Sequence, residues 1–187
     1  MNQQDFFEKV ITVLEKLHIE YMITGSVGAM LYGIPRMTND MDLVIKMSED
    51  SINNLVTNFT GDEYYYPPID FICSQLKIYG QFNIIHIESG SKVDFIIRKN
   101  NEFAKVEFSN KKTIPFSTHL KAKSASIEDI IISKLKFYKM GNSRKHLDDI
   151  QGILQISEAE IDFKYLQYWL LKLDLDDIWI QNYKHPK

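Results

Sequence analysis

Hydrophobic side chains recur at helical spacing in several parts of this 187-residue chain. In residues 3–18 they return every three or four positions with Glu and Lys between them, the pattern of an amphipathic helix. Ser48 and Ser126 precede two further stretches, where a hydroxyl can cap the first helical turn. The predicted helices in the first part of the chain are 3–18, 27–32, 48–58, 69–79 and 127–140, the last of which is ended by Gly141. Another helix begins near residue 144. A capping box at residues 157–160 then precedes two predicted helices, 158–172 and 175–183.

Runs of strand-forming residues fill the intervals between these helices. Residues 21–24 are one such run, and residues 40–45 are a second in which acids alternate with apolar side chains. Residues 82–88 and 92–97 have the pattern of two strands joined by a hairpin turn. Residues 101–123 look irregular, with short strands. The alternation predicts an α/β core over residues 1–125, a mixed sheet flanked by helices, followed by a C-terminal helical portion over residues 126–187.

A glycine and a serine follow the first predicted strand directly. Gly25 lets the chain turn sharply and leaves backbone N–H groups free to face a phosphate. Ser26 is positioned to cap the next helix, and its hydroxyl can face a ligand at that helix N-terminus. In the loop that follows, Arg36 and Thr38 can reach a phosphate or position the next strand, and a surface salt bridge is an equal interpretation for Arg36.

Asp40 and Asp42 begin the second strand two residues apart, so both side chains point to the same face. Neighbouring carboxylates repel each other unless a cation lies between them. Oxygen ligands with open coordination positions suit Mg²⁺ bound together with a phosphate substrate. Asp94, a single acid in the apolar strand 92–97, is the candidate third ligand. The pattern predicts a phosphoryl-transfer site with two Mg²⁺ ions about 3.5–4 Å apart.

The combination of Gly25-Ser26, Asp40-x-Asp42 and the later Asp94 resembles the signature of the nucleotidyltransferase superfamily. The sequence of residues 33–42 resembles that of the branch that contains the AbiE-type and MenT toxins of toxin–antitoxin systems. This resemblance implies a nucleotidyltransferase-like fold and a metal-dependent transfer of NMP from an NTP to an acceptor hydroxyl, such as an RNA or tRNA end or a protein side chain. It also implies a cognate antitoxin as a partner.

The same resemblance extends to residues 126–149. A lysine on the corresponding toxin helix contributes to the active site, and Lys134 matches it within an otherwise apolar stripe. A snorkelling lysine with a packed stem is the alternative. Relatives often have Lys-Asp where this chain has Lys145-His146, followed by an acid that matches Asp149. The departure at His146 leaves Asp149 equally open to a structural role as an anchor for Arg144 or Lys145.

Charge is distributed unevenly along the chain, whose formal net charge is −3. Residues 1–91 carry a net charge of −7, residues 92–145 a net charge of +8, and residues 146–187 a net charge of −4. The basic segment could hold a triphosphate, an RNA backbone or an acidic partner, or it could be a solvated surface with a chance bias.

Composition excludes several other classes of protein. A single cysteine rules out an internal disulfide, and the five histidines lack the spacing of a zinc site. No apolar run is long enough to span a membrane and no signal-peptide pattern is present, which predicts a cytoplasmic protein.

Two alternatives to nucleotidyl transfer onto RNA or a protein stay open. Aminoglycoside nucleotidyltransferases have a similar Gly-Ser/Asp-x-Asp start, so a small-molecule acceptor is the alternative enzyme reading. A non-catalytic nucleotide-binding or partner-binding module is the second. Tyr64-Tyr65-Tyr66 could be a short strand and could stack on a base, although packing is the commoner use of such a triplet.

Overall fold

The computed structural model describes residues 1–183, which form a mixed sheet with helices on both faces. The strands are β1 (Glu20–Thr24), β2 (Asp40–Lys46), β3 (Tyr64–Tyr65), β4 (Gln81–His86), β5 (Ser91–Ile97), β6 (Lys112–Pro115) and β7 (Lys121–Ser124). The helices are α1 (Gln3–Lys16), α2 (Gly25–Tyr32), α3 (Asp50–Val56), α4 (Ile69–Ile78), α5 (Glu102–Ser109), α6 (Ile127–Gly141), α7 (Lys145–Ser157), α8 (Phe163–Lys172) and α9 (Asp176–Asn182).

The sheet of the described residues has seven strands in the order β3-β4-β5-β2-β1-β7-β6. Strand β2 lies at its centre, antiparallel to β1 and parallel to β5. Strand β7 runs parallel to β1 on the other side. The predicted α/β class with a mixed sheet is therefore confirmed, whereas the division of the chain at residue 125 stays a prediction.

One face of the sheet is fully covered, and the other is covered only in part. On the covered face, buried residues of β2 and β5 such as Leu43 and Phe95 pack against α1, α3 and α4. On the other face, Met22 of β1 packs against α5, α6 and α8. The residues of β2, β4 and β5 that alternate with the buried ones stay mostly half-buried on this second face. An open area beside the helical cover is therefore left for a site.

Several local predictions are wrong in instructive ways. Residues 102–109 form a helix rather than irregular structure, because Asn101 caps it by accepting from the Ala104 N–H and Phe103 and Phe108 pack inward. Helix α6 includes Gly141 as its last residue, and Asn142, whose φ of 50° lies in the left-handed region, is the C-cap residue that follows. Ser157 is the last residue of α7 and its hydroxyl donates to the Tyr32 carbonyl, so its side chain makes no capping hydrogen bond to residues 158–160.

Helix α2 also begins earlier than the sequence predicts. It starts at Gly25, with Thr24 as its extended N-cap residue, so Ser26 lies inside the first turn and is not the cap. The Ser26 hydroxyl is therefore free of a capping bond and can interact with other side chains. None of the helices within residues 1–183 has the length and apolar composition that a membrane crossing requires.

Candidate active site

Strand register brings the three predicted carboxylates to one face of the sheet. Asp42 lies opposite Asp94 in the parallel pair β2–β5, and Thr24 at the end of β1 lies opposite Asp42. Residues directly opposite on neighbouring strands share a face, and Asp40, two residues before Asp42, shares it too. Asp40, Asp42 and Asp94 thus form an acidic group on one face of the sheet, with Asp42 close to Gly25 at the N-terminus of α2.

The environment of Asp42 disfavours its negative charge. Burial raises the pKa of its carboxyl group, and the neighbouring charges of Asp94 and Asp40 raise this pKa further, although Lys134 and Lys92 oppose them. Asp94 is also well shielded, with its side chain 14% exposed, while that of Asp40 is 50% exposed. A cation close to these carboxylates would relieve the repulsion.

A lysine that the sequence did not single out approaches this acidic group. Lys92 lies opposite Asp40 in the β2–β5 register. Its ammonium group is 2.8 Å from Asp94 Oδ2 and 3.7 Å from Asp40 Oδ2. Its hydrogen bond to Asp94 raises the pKa of Lys92 and keeps it charged. The sequence signal was its position two residues before Asp94, on the same face of β5.

The donor chemistry of the acidic group fits a divalent cation, but its present arrangement does not enclose one. Carboxylate oxygens are the ligands that Mg²⁺ prefers. Among residues 1–183, no group of three or more His, Cys, Asp or Glu side chains is arranged to hold a metal ion. Because Lys92 already pairs with two of the acids, binding a divalent ion there requires this ammonium group to give way.

Gly25 makes the close approach between α2 and the acidic strand possible. Its φ is +64°, a conformation that favours glycine, and a Cβ at this position would come within 2.7 Å of Asp42 Cγ. Only a residue without a side chain therefore leaves the Asp42 carboxylate in place. The sequence had predicted a role for Gly25 in phosphate binding, which stays a prediction, whereas its close approach to Asp42 was not predicted.

A network of charged side chains, buried at Lys134 and Asp149, continues from Ser26. Arg36 donates from Nη2 to Ser26 Oγ at 2.6 Å and from Nε to Asp149 Oδ1 at 2.7 Å. Lys134 Nζ donates to Asp149 Oδ2 at 2.5 Å and lies 3.5 Å from Ser26 Oγ. The structural partners of Asp149 are thus Arg36 and Lys134, not Arg144 or Lys145 as the sequence had left open.

Protonation in this network follows from burial and pairing together. Burial pushes the pKa of Asp149 up, but hydrogen bonds from Arg36 and Lys134 outweigh it and leave this pKa below its ordinary value. Burial lowers the pKa of Lys134, and its bond to Asp149 partly offsets that effect. The side chain of Lys134 is only 4% exposed, so its ammonium group does not reach solvent as that of a snorkelling lysine would.

Thr38 occupies the entry to the acidic strand. Its hydroxyl lies 3.3 Å from the Asp40 carbonyl oxygen, and its own carbonyl accepts a hydrogen bond of 2.8 Å from Gln3. These contacts tie the start of β2 to α1, which matches the positioning role that the sequence suggested as one option.

Some of these charged residues line a cleft of about 380 Å³. Ser26, Arg36, Asp40, Asp42 and Lys134 contribute its polar lining. Ile96, Phe137 and His146 contribute an apolar and aromatic wall. A larger cavity of about 650 Å³ shares only Arg36 and Thr38 with this cleft and has no acidic lining. The chemistry therefore belongs to the smaller cleft.

The tyrosine triplet does not reach this cleft. Tyr64 is buried and packs against Phe6 and Phe59, and Tyr65 lines a separate cavity with Phe71. The aromatic residues that do line the cleft, Phe137 and His146, were missed as a pair because they come from different helices.

Comparison with solved structures identifies the class of fold. A crystal structure of ANT(2″)-Ia in complex with adenylyl-2″-tobramycin matches 95% of this chain and 98% of its own, with a TM-score of 0.58 and 12% identity. JHP933 from Helicobacter pylori matches 97% and 77%, with a TM-score of 0.55 and 14% identity. An antigenic nucleotidyltransferase-like protein from Paracoccidioides brasiliensis matches 81% and 74%, with a TM-score of 0.50 and 21% identity.

These similarities show that the chain has a nucleotidyltransferase-like fold. At 12–21% identity they speak for the fold alone. Comparisons with protein-family models and with curated proteins find no match. The three structures named above do not show the AbiE-type and MenT branch, so that finer resemblance stays a prediction.

Proposed function

We propose that this protein is a metal-dependent nucleotidyltransferase that transfers NMP from an NTP to an acceptor hydroxyl. The observation that carries the proposal is the register that sets Asp42 opposite Asp94 beside the Gly25-Ser26 start of α2. Asp40, Asp42 and Asp94 would hold two Mg²⁺ ions. When bound, these ions would neutralise charge on the reacting phosphate and on the pyrophosphate that leaves.

The polyphosphate end of the NTP would lie at Ser26, Arg36 and Lys134. The N-terminus of α2 presents backbone N–H groups that favour an anion. The two cationic side chains converge on Ser26 Oγ, at 2.6 Å from Arg36 and 3.5 Å from Lys134. Asp149 holds both cations in place, so they are oriented before the ligand arrives and need little reorganisation.

Asp94 is the proposed proton acceptor. The acceptor oxygen forms a bond to the α-phosphorus, the bond from that phosphorus to the β-bridging oxygen breaks, and the hydroxyl proton moves to the Asp94 carboxylate. The side chain of Lys92, 2.8 Å from Asp94, orients this carboxylate before metal binding.

An RNA end, such as that of tRNA, or a protein side chain is the proposed acceptor, in a toxin-like role with a cognate antitoxin as partner. The resemblance of residues 33–42 and of Lys134 and Asp149 to the toxin branch supports this proposal. The contacts of Asp149 also support it, because this residue pairs with Arg36 and Lys134, and both of these cations line the cleft.

A small-molecule acceptor is the second candidate. The structure of ANT(2″)-Ia with adenylyl-2″-tobramycin covers nearly the whole chain, which favours this candidate. The net charge of +8 over residues 92–145 disfavours a polycationic drug as acceptor.

The deciding experiment is incubation of the protein with each α-labelled NTP and Mg²⁺, in separate reactions with total RNA, with tobramycin and without an acceptor. Label in RNA supports the toxin-like reading, label on tobramycin supports the small-molecule reading, and label on the protein itself supports a side-chain acceptor. The variant Asp40→Ala with Asp42→Ala should abolish pyrophosphate release.

A matched control is Asp62→Ala with Asp70→Ala, which removes two exposed acids elsewhere on the chain and should leave release unchanged. Unchanged turnover in the Asp40→Ala/Asp42→Ala protein would refute the site. Calorimetry that detects NTP binding without any pyrophosphate release would instead indicate a non-catalytic binding module.

A further inference from the structure

Phe137 and His146 form a stacked aromatic pair that the proposed chemistry leaves unused. Their ring centroids are 5.7 Å apart and the ring planes are inclined by 23°. Phe137 lies on α6 and His146 lies in the first turn of α7. Both line the cleft that contains Asp40, Asp42, Ser26 and Lys134.

The position of this pair relative to the charged network follows from the two helices. Phe137 lies three residues after Lys134 on α6, and His146 lies three residues before Asp149 on α7. Because Lys134 pairs with Asp149 and Phe137 stacks on His146, the helices run antiparallel through both contacts. Three residues correspond to about 4.5 Å along a helix. The aromatic pair is therefore one step along the cleft from the cations proposed to hold the polyphosphate.

Two features set the pair apart from ordinary packing. Phe137 is 49% exposed although the apolar core lies close by on the same helix. His146 Nδ1 is buried and has no hydrogen-bond partner among residues 1–183. A buried polar atom without a partner costs free energy that an apolar side chain at this position would avoid.

We propose that Phe137 and His146 form the nucleobase platform of this site, with the base of the bound NTP stacked on the exposed ring of Phe137. His146 supports that ring from the side facing α7. The assignment rests on the proposed function, because it takes the ligand of the cleft to be an NTP. Base–aromatic stacking tolerates any base, since every base has a π-face. The platform therefore contributes affinity for all four NTPs.

Phosphate binding is the competing role for this end of the cleft, because Lys145 also lines it. His146 does not add a cation there. Burial lowers the pKa of its imidazole, and the charges of Lys134 and Lys145 lower this pKa further, so that the ring is mainly neutral at pH 7. A neutral ring stacked on a phenyl ring provides an apolar surface, which suits a base better than a phosphate.

The test compares a ligand that has a base with one that lacks it. Isothermal titration calorimetry measures the binding of α,β-methylene NTP analogues and of inorganic tripolyphosphate, both with Mg²⁺. The variant Phe137→Ala should weaken binding of the NTP analogues about tenfold, the effect of losing one base–aromatic stack. Its affinity for tripolyphosphate should stay within twofold of wild type. Phe137→Tyr retains the ring and should bind the NTP analogues as wild type does.

The matched control is Phe71→Ala on α4, which removes a phenylalanine of similar exposure, 46%, that does not line the cleft. It should leave both ligands unaffected, and circular dichroism confirms that each variant is folded. Equal binding of the NTP analogues by wild type and Phe137→Ala would overturn the platform, as would an equal loss for both ligands. Failure of the wild type to bind either ligand would instead refute the proposed function itself.

Discussion

Lys134 and Asp149 form an ion pair that is buried between α6 and α7, with side-chain exposures of 4% and 5%. Arg36 donates to the same carboxylate from the loop before β2. One aspartate thus connects three separate segments of the chain and compensates two cations on the wall of the cleft. This arrangement has a structural consequence besides its proposed role in phosphate binding.

Removal of Asp149 should destabilise the fold. The variant Asp149→Ala leaves Lys134 charged and buried without its carboxylate partner, and breaking such a pair typically costs about 3–5 kcal/mol. Urea denaturation should therefore show a loss of this order in the free energy of unfolding. The neighbouring exposed acid provides the control, Asp148→Ala, which should change stability little.

A double variant separates the buried charge from the packing. Lys134→Met with Asp149→Leu replaces the pair by apolar side chains and should recover most of the lost stability. A double variant as unstable as Asp149→Ala would show that packing, not the unpaired charge, causes the loss.

Much of the fold follows from local patterns that the sequence displays. The alternation of buried and half-buried residues in β2 and β5 is a period of two, so the shared face of Asp40 and Asp42 could be predicted. Helix α5 could not be predicted from hydrophobic spacing because it has only eight residues, too few to show a clear helical repeat of apolar side chains. Its best signal was Asn101 as a cap.

The features of the site that could not be predicted from the sequence depend on contacts between segments that are distant along the chain. Asp149 had plausible partners nearby in Arg144 and Lys145, yet its actual partners are 113 and 15 residues away. The approach of Lys92 to Asp40 depends on which residues face each other in the parallel pair β2–β5. Register and helix crossing are tertiary properties, and neither is encoded at a fixed sequence spacing.

Lys92 should compete with divalent ions for the acidic group. Its ammonium lies 2.8 Å from Asp94 and 3.7 Å from Asp40, where the proposed function requires metal ligands. The variant Lys92→Met should raise the affinity for Mn²⁺ in the absence of nucleotide roughly fivefold, about 1 kcal/mol, as expected for a partly exposed ion pair. Electron paramagnetic resonance of free Mn²⁺ measures this affinity directly.

Two further lysine variants control for charge and position. Lys92→Arg keeps a cation beside Asp94 and should bind Mn²⁺ as wild type does. Lys46→Met removes an exposed cation that pairs with Glu20 at the far end of β2, and it should have no effect. An unchanged or weaker Mn²⁺ affinity in Lys92→Met would mean that the ammonium does not compete.

Glu107 should make stability depend on pH. Burial raises its pKa to about 8, and the charge of Asp129 adds to this rise while Lys136 opposes it. Between the ordinary value of 4.5 and about 8, the folded protein holds a proton that the unfolded chain has lost. The stabilisation is thus complete below pH 4.5 and is lost as the pH rises through 8, with a slope of at most about 1.4 kcal/mol per pH unit.

The variant Glu107→Gln isolates this contribution, because an amide does not titrate. Urea denaturation at pH 5.5, 6.5 and 7.5 should show that wild type loses stability relative to Glu107→Gln as the pH rises. Glu102→Gln, at an exposed position of the same helix, should give a curve parallel to that of wild type. Parallel curves for Glu107→Gln and wild type would argue against a protonated Glu107 in the folded protein.

Gly25→Ala should inactivate the site through a single methyl group. An added Cβ would come within 2.7 Å of Asp42 Cγ and collide with its carboxylate, which must then move. A shift of about 1 Å in a reacting geometry can cost on the order of 100-fold in rate, so Mg²⁺-dependent release of pyrophosphate should fall by at least about that factor. The left-handed backbone adds a strain of about 1–2 kcal/mol to the fold.

Gly90→Ala separates strain from collision, because Gly90 has the same φ of +64° but no heavy atom lies within 4 Å of the place that an added methyl group would take. Gly25→Ala should lose at least as much stability as Gly90→Ala in urea denaturation, whereas only Gly25→Ala should lose turnover. Equal turnover in the two proteins would show that the carboxylate of Asp42 tolerates displacement, and its proposed role as a metal ligand beside α2 would then be untenable.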